Sequence, residues 1–135
     1  MGQEKLRNKI MLVDDDPVTN FIHTRLIASA YDCEIGVYTE AQTALEYLKT
    51  PGNSSDIWLP SLVLLDINMP GMNGWSFLSE FEKLPVISTS RCKIYVVSSS
   101  IDRDDEEKSK LYNSVSGFIS KPLTVDMVRE LMVGI

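Results

Sequence analysis

The sequence predicts an α/β fold, a doubly wound five-stranded parallel sheet with five helices. Three observations predict it. Short, strand-like apolar or β-rich runs recur five times. Each is followed by a segment whose apolar residues fall at helical spacing. The chain shows no internal repeat, low-complexity stretch or linker. A parallel strand is buried on both faces and so reads as an unbroken apolar run. Strand–helix alternation implies a parallel sheet covered on both sides.

Ile10-Met11-Leu12-Val13 is the first such run. Asp16-Pro17 then reads as an N-cap followed by proline at the first helical position. Val18, Phe21, Ile22 and Leu26 follow at helical spacing, which predicts the apolar face of helix one. Cys33 to Tyr38 alternates and is rich in β-formers, giving strand two. Helix two covers Glu40 to Leu48, with Ala41, Ala44, Leu45 and Leu48 on one face. Thr50 to Leu59, containing Pro51-Gly52-Asn53, is a loop. Leu62-Val63-Leu64-Leu65 is the most apolar run and is expected at the centre of the sheet, ending at Asp66.

Met69 to Gly74 is a loop containing proline and glycine. Asn73-Gly74 could form a hairpin turn, but Phe77, Leu78, Phe81 and Leu84 follow with helical periodicity and predict helix three. The connection 85–92 is longer than needed and should bulge beyond that helix. Strand four is Lys93 to Ser98. Helix four is expected over Arg103 to Asn113 on a thin apolar face of Leu111 and Tyr112. Strand five is Gly117 to Ser120. Helix five is Thr124 to Val133, with Val128, Leu131 and Met132 inward. Right-handed crossovers favour an open sheet, and the flavodoxin-like order 2-1-3-4-5 is the common solution at this size.

The 135 residues suit one compact domain, here 9–135 behind a short polar tail at 1–8. With 44% hydrophobic and 24% charged residues the chain can bury a real core. Its net charge of −6 and lack of any Lys/Arg-rich stretch argue against nucleic acid as a partner. No apolar run reaches the ~20 residues that span a bilayer, and the N-terminus is polar, so neither a membrane nor secretion is expected and a cytoplasmic location is. Cys33 and Cys92 fall on different strands and are expected to be reduced, because the predicted sheet order separates them by more than the ~7 Å a disulfide allows.

Polar residues close four of the strands. Strand one ends in Asp14-Asp15-Asp16, strand three in Asp66, strand four in Ser98 and strand five in Lys121-Pro122. In the predicted order these strands are neighbours, so their carboxyl ends converge, which is where ligands bind in open α/β sheets. Each carboxylate pair there repels by ~4 kcal/mol at ~4 Å and an effective dielectric near ~20. A divalent cation would cancel the excess charge left by Lys121. All-oxygen ligation suits Mg²⁺, with Mn²⁺ as the alternative, whereas zinc would call for His or Cys. A carboxylate beside a magnesium ion and a lysine is equipment for phosphoryl transfer.

The chain resembles the receiver domain of bacterial response regulators of two-component systems, CheY-like, over roughly Lys9 to Val133. The matching pieces are Leu12-Val13-Asp14-Asp15-Asp16-Pro17, Leu64-Leu65-Asp66-Ile67-Asn68-Met69-Pro70-Gly71-Met72-Asn73-Gly74, Val97-Ser98-Ser99 and Gly117-Phe118-Ile119-Ser120-Lys121-Pro122. The resemblance implies that Asp66 is the phosphoacceptor, assisted by Lys121 and Ser98. It implies that Asp14, Asp15, Asp66 and the backbone carbonyl of Asn68 hold Mg²⁺. Ser98 and Phe118 would be the switch residues, and Asn68 and Ser100 would tune dephosphorylation.

The expected partners are a sensor histidine kinase or a histidine phosphotransfer protein, and a downstream protein target that the residues leave unnamed. The output would be a change in the face made by helix four, strand five and helix five, in a stand-alone phosphorelay protein that is not an enzyme beyond its own Mg²⁺-dependent phosphorylation and slow autodephosphorylation. Phe118 lacks the hydroxyl that a tyrosine would bring to the switch.

Three other readings fit the residues less well. A phosphate-independent interaction module of the same fold is the alternative, and the complete set Asp14, Asp15, Asp66, Ser98 and Lys121 argues against it. An acyl-phosphate hydrolase would need a second carboxylate close after Asp66, where Ile67 and Asn68 stand. EF-hand loops fail on spacing, because the twelfth residue from Asp14 is Arg25 and from Asp66 is Phe77. His23, the single histidine, is expected to be a packed or solvated side chain.

Overall fold

A computed structural model of the chain describes residues 8–49, 60–69, 71–84, 92–99 and 102–133. The elements are β1 (Asn8–Val13), α1 (Pro17–Ala30), β2 (Cys33–Tyr38), α2 (Ala41–Lys49), β3 (Leu62–Asp66), α3 (Gly74–Phe81), β4 (Lys93–Ser98), α4 (Arg103–Ser109), β5 (Val115–Ser120) and α5 (Val125–Val133). The strands form one parallel sheet in the order β2-β1-β3-β4-β5, as the alternation predicts. The predicted loop at 50–59, most of the long 85–92 connection and Ser100 lie outside the described residues.

Successive residues of a strand point to opposite faces, so β1 and β3 feed two cores. Met11, Val13, Val63 and Leu65 pack with α2 and α3 through Ala44, Leu45, Phe77 and Phe81. Ile10, Leu12, Leu62 and Leu64 pack on the other face with Ile27, Val128 and Met132 from α1 and α5. All five residues of β3 are buried, which explains why its sequence is apolar without alternation.

Helix starts follow the sequence closely. Asp16 caps α1, its carboxylate accepting from the Val18 N–H at 3.0 Å and the Thr19 hydroxyl at 2.9 Å, with Pro17 opening the helix. These bonds, Thr19 first, hold the Asp16 carboxyl below its ordinary range. Asn73 caps α3 through Ser76 N–H at 2.9 Å, so Asn73-Gly74 opens a helix and is not a hairpin turn.

The face of α1 is a correction. Val18, Phe21 and Ile22 are 63%, 62% and 50% exposed, and the buried residues are Asn20, His23 and Ile27. The helix begins at the polar end of β1, where the Asp14 carbonyl needs a donor, and the Asn20 side-chain amide supplies it at 2.8 Å. Turning Asn20 inward turns Phe21 and Ile22 out. His23 is packed, and burial, aided by the nearby Lys121 charge, lowers its pKa.

The thin helix four is also shorter than predicted. It ends at Ser109, and Leu111, expected inward, lies beyond it and is 78% exposed. Two large apolar residues cannot anchor a third helical turn against the sheet, and the chain leaves through turns at 110–114. β5 starts earlier than predicted, at Val115, with a register irregularity against Ile94 and Tyr95. Leu84 lies in the turn after α3, and Leu131 is half-buried at the edge of its core. Neither cysteine is in a disulfide, and burial pushes the Cys92 thiol up to about 12. Among the described residues no helix is long and apolar enough to cross a membrane.

Candidate functional site

The order β1-β3-β4-β5 brings the four polar strand ends to one edge. β3 ends at Asp66, β4 at Ser98, and β5 at Ser120, one residue before Lys121. Asp14 and Asp15 follow β1 directly. The Asp14 N–H donates to the Tyr38 carbonyl at 3.0 Å and the Lys121 N–H to the Ser98 carbonyl at 2.7 Å, so both turns are tied to the neighbouring strand. The Lys121–Pro122 peptide is cis.

Side chains from three of these ends meet. The carboxylate oxygens of Asp14, Asp15 and Asp66 lie within 4.8 Å of one another. The Lys121 ammonium donates to Asp14 Oδ2 at 2.7 Å and stands 3.9 Å from Asp66 Oδ2. Asp14 Oδ1 accepts the Asp16 N–H at 2.9 Å, so both oxygens of Asp14 are engaged. Asp66 Oδ1 accepts the Asn68 N–H at 3.1 Å. Asp14, Asp66 and Ser98 are buried, and Asp15 is exposed.

Burial pushes the Asp66 carboxyl from an ordinary 3.8 up to about 6. The Asn68 N–H opposes the rise, the Asp14 charge adds to it, Lys121 opposes it and Asp15 adds again. Burial leads, and the neighbouring carboxylates add to it while the one lysine opposes them. The donor set is oxygen throughout, carries net negative charge and opens to solvent at Asp15. It fits a hard divalent cation, and the three carboxylates could hold one.

The loop after β3 is shaped by two glycines. Gly71 has φ +75°, a backbone region that L side chains avoid. Gly74 packs against the backbone after β3 so closely that a Cβ there would lie 2.6 Å from Ile67 Cα and 3.0 Å from the Asp66 carbonyl oxygen. Its N–H donates to the Ile67 carbonyl at 3.2 Å. Gly74 thus lets the start of α3 touch the residue that follows Asp66.

The sequence-predicted residues Asp14, Asp15, Asp66 and Lys121 meet, Ser98 stands at the adjoining strand end, and Asn68 contacts Asp66 through its backbone. Phe118 lies on β5, half-buried against the core that α2 and α3 cover. Ser100 lies outside the described residues. Sequence reasoning missed Asn20, whose amide holds the Asp14 carbonyl and whose Oδ1 has no hydrogen-bond partner. An asparagine within a run of helix formers carries no signal of that role.

Residues 10–132 match the response regulator receiver domain family. A two-component response regulator from Cytophaga hutchinsonii, solved as a crystal structure, superposes with a TM-score of 0.83 at 29% identity, covering 96% of this chain and 97% of that one. The crystal structure of the phosphorylated cyanobacterial phytochrome response regulator RcpA gives 0.70 at 28% identity, covering 96% and 91%. Response regulator Rcp1 of Synechocystis sp. is 28% identical over 71% of this chain, which spans 65% of that relative. Fold, strand-end chemistry and likeness to these proteins agree: the chain belongs to the response regulator receiver domain family of two-component systems.

Proposed function

We propose that this chain is a phosphorylation switch in which Asp66 accepts the phosphoryl group from a phosphohistidine on a kinase or phosphotransfer protein. The observation that carries the reading is the Lys121 ammonium, 2.7 Å from Asp14 and 3.9 Å from Asp66, at the rim of three carboxylates within 4.8 Å. An Asp66 oxygen attacks phosphorus in line, the new O–P bond forms as the donor N–P bond breaks, and Lys121 pairs with the phosphoryl oxygens. Asp15, Asp66 and the Asn68 backbone carbonyl would hold Mg²⁺, with Asp14, tied to Lys121, completing the acid set. Mn²⁺ is the alternative ion. When bound, the ion supplies the positive charge that lets the phosphoryl oxygens approach.

The product replaces one negative charge on Asp66 by almost two and adds acceptor oxygens. The Ser98 hydroxyl turns to one of them, and Phe118 follows into the space it leaves. The output face is α4, β5 and α5; beside it Tyr95 of β4, Phe118 and Ile119 of β5 and Met127 and Leu131 of α5 line a groove. Asn68 and Ser100 set the lifetime of the phosphoryl group. The exposed Val18, Phe21 and Ile22, on the helix that follows Asp14 and Asp15, give the phosphodonor an apolar surface.

The test is incubation with Mg²⁺ and acetyl phosphate followed by intact mass. One phosphate adduct is expected, absent in Asp66→Asn and absent with chelator. An unmodified wild-type chain would favour a phosphate-independent interaction module.

A further inference from the structure

α4 is tethered more than it is packed. Among the described residues of this helix only Ser109 is buried, and its hydroxyl bonds within the helix, to the Glu106 carbonyl at 2.7 Å. The segment lies against β5, and its side-chain tethers come from α3. The Trp75 ring stacks on Tyr112 with centroids 5.7 Å apart and planes 20° from parallel. The Lys108 ammonium lies over the same indole, 4.8 Å from its centroid. At the other end of α3 the Glu82 carboxylate accepts the Ser114 N–H at 2.8 Å and its hydroxyl at 2.6 Å. Thus α3 grips the chain leaving α4 at two points, and Trp75 grips α4 itself through Lys108.

Trp75 is also one residue from the phosphoacceptor loop. The Gly74 N–H donates to the Ile67 carbonyl at 3.2 Å, and a Cβ at this position would lie 2.6 Å from Ile67 Cα and 3.0 Å from the Asp66 carbonyl oxygen. A displacement of Asp66–Ile67 therefore pushes on the first turn of α3 directly, and the next side chain along is the indole. This path runs through α3 and does not pass through Ser98 or Phe118.

We propose that Trp75 is a positioning residue that latches α4 in its resting place and couples it to the Asp66 loop. The inference rests on the phosphoacceptor reading for the coupling, while the latch stands on the contacts alone. Stacking and cation–π contacts at half-exposed sites are individually modest, which suits a latch that a change of one charge at Asp66 must open.

Hydrogen exchange over 103–109 in the full chain tests it, with the adduct level read by intact mass on the same samples. Without phosphodonor, Trp75→Leu should exchange about fivefold faster than wild type in α4, the loss expected from ~1 kcal/mol of stacking. With Mg²⁺ and acetyl phosphate, wild-type α4 exchange should change, and Trp75→Leu should form as much adduct while its α4 exchange changes less than half as much. Should Trp75→Leu fail to fold, Lys108→Met and Tyr112→Leu probe the same contacts from the other side. Identical α4 exchange in variant and wild type in both states, with adduct present, would overturn the inference and leave the phosphoacceptor reading intact. No adduct on wild type would sink that reading and the coupling with it, while exchange in the resting state would still decide the latch.

Discussion

β3 and β5 are parallel strands of nearly equal length in one sheet, yet all five residues of β3 are buried and none of the six residues of β5 is fully so. The helices beside them differ in the same way. α3 buries Phe77, Leu78 and Phe81, and α4 buries Ser109 alone among its described residues. The difference separates two tasks. A buried centre can hold carboxylates together against their repulsion, because the surrounding packing fixes where they stand. A thinly covered edge can change shape for little free energy, because few contacts must be remade. The acidic end sits on the first region, and the proposed output on the second.

Substitutions can break or sharpen this contrast. Phe77→Ala, fully buried under β3, should cost about 3–5 kcal/mol in denaturant unfolding. A cost near that of an edge residue would end the distinction. Gly74→Ala should cost about 1–3 kcal/mol, since its methyl would overlap Ile67 and the Asp66 carbonyl. It should also slow labelling by acetyl phosphate, as the loop bearing Asp66 is pushed aside.

Asp66→Asn should act in the opposite direction. The folded-state pKa is raised from 3.8 to about 6, so the folded chain holds its proton more tightly than the unfolded chain does. Stability from this group is full below about 3.8 and is lost as pH rises through about 6. At pH 7 without metal the neutral variant should therefore gain about 1–2 kcal/mol after solvent screening, a gain that fades as pH falls to about 4. Adding Mg²⁺ should stabilise wild type and leave the variant nearly unmoved. Equal melting of both proteins across that pH range would show that the acidic end is not under strain.

Glu82→Ala removes both bonds to Ser114 and should cost about 0.5–1.5 kcal/mol, with faster exchange confined to the 110–115 turn. Leu111→Ser should change stability by less than about 0.5 kcal/mol, because its side chain already meets water. A larger loss at Leu111 would mean that α4 is better anchored than its contacts indicate.

Most of the architecture was legible because the strands are short apolar runs closed by polar residues, a pattern that marks both burial and the functional edge at once. Asp14, Asp15, Asp66 and Lys121 could be read because each lies at a strand end, and strand order alone brings strand ends together. α1 could not be read in the same way. Val18, Phe21, Ile22 and Leu26 satisfy helical spacing, but spacing identifies a stripe without saying which way it faces. The decision came from one polar demand, the Asp14 carbonyl, met by Asn20. The length of α4 was hidden for a related reason: Leu111 and Tyr112 sit at plausible helical positions, and only the competing stack on Trp75 shows that Tyr112 serves α3.

The bond between Lys121 and Asp14 joins residues 107 apart in sequence. During synthesis the acidic residues leave the ribosome early and the ammonium late. On the proposed reading, a nascent chain carries Asp66 before it carries Lys121, so the site stays incomplete until β5 and the residue after it have been made. A half-made copy would then lack the cation that pairs with Asp14 and would take no phosphoryl group from a donor.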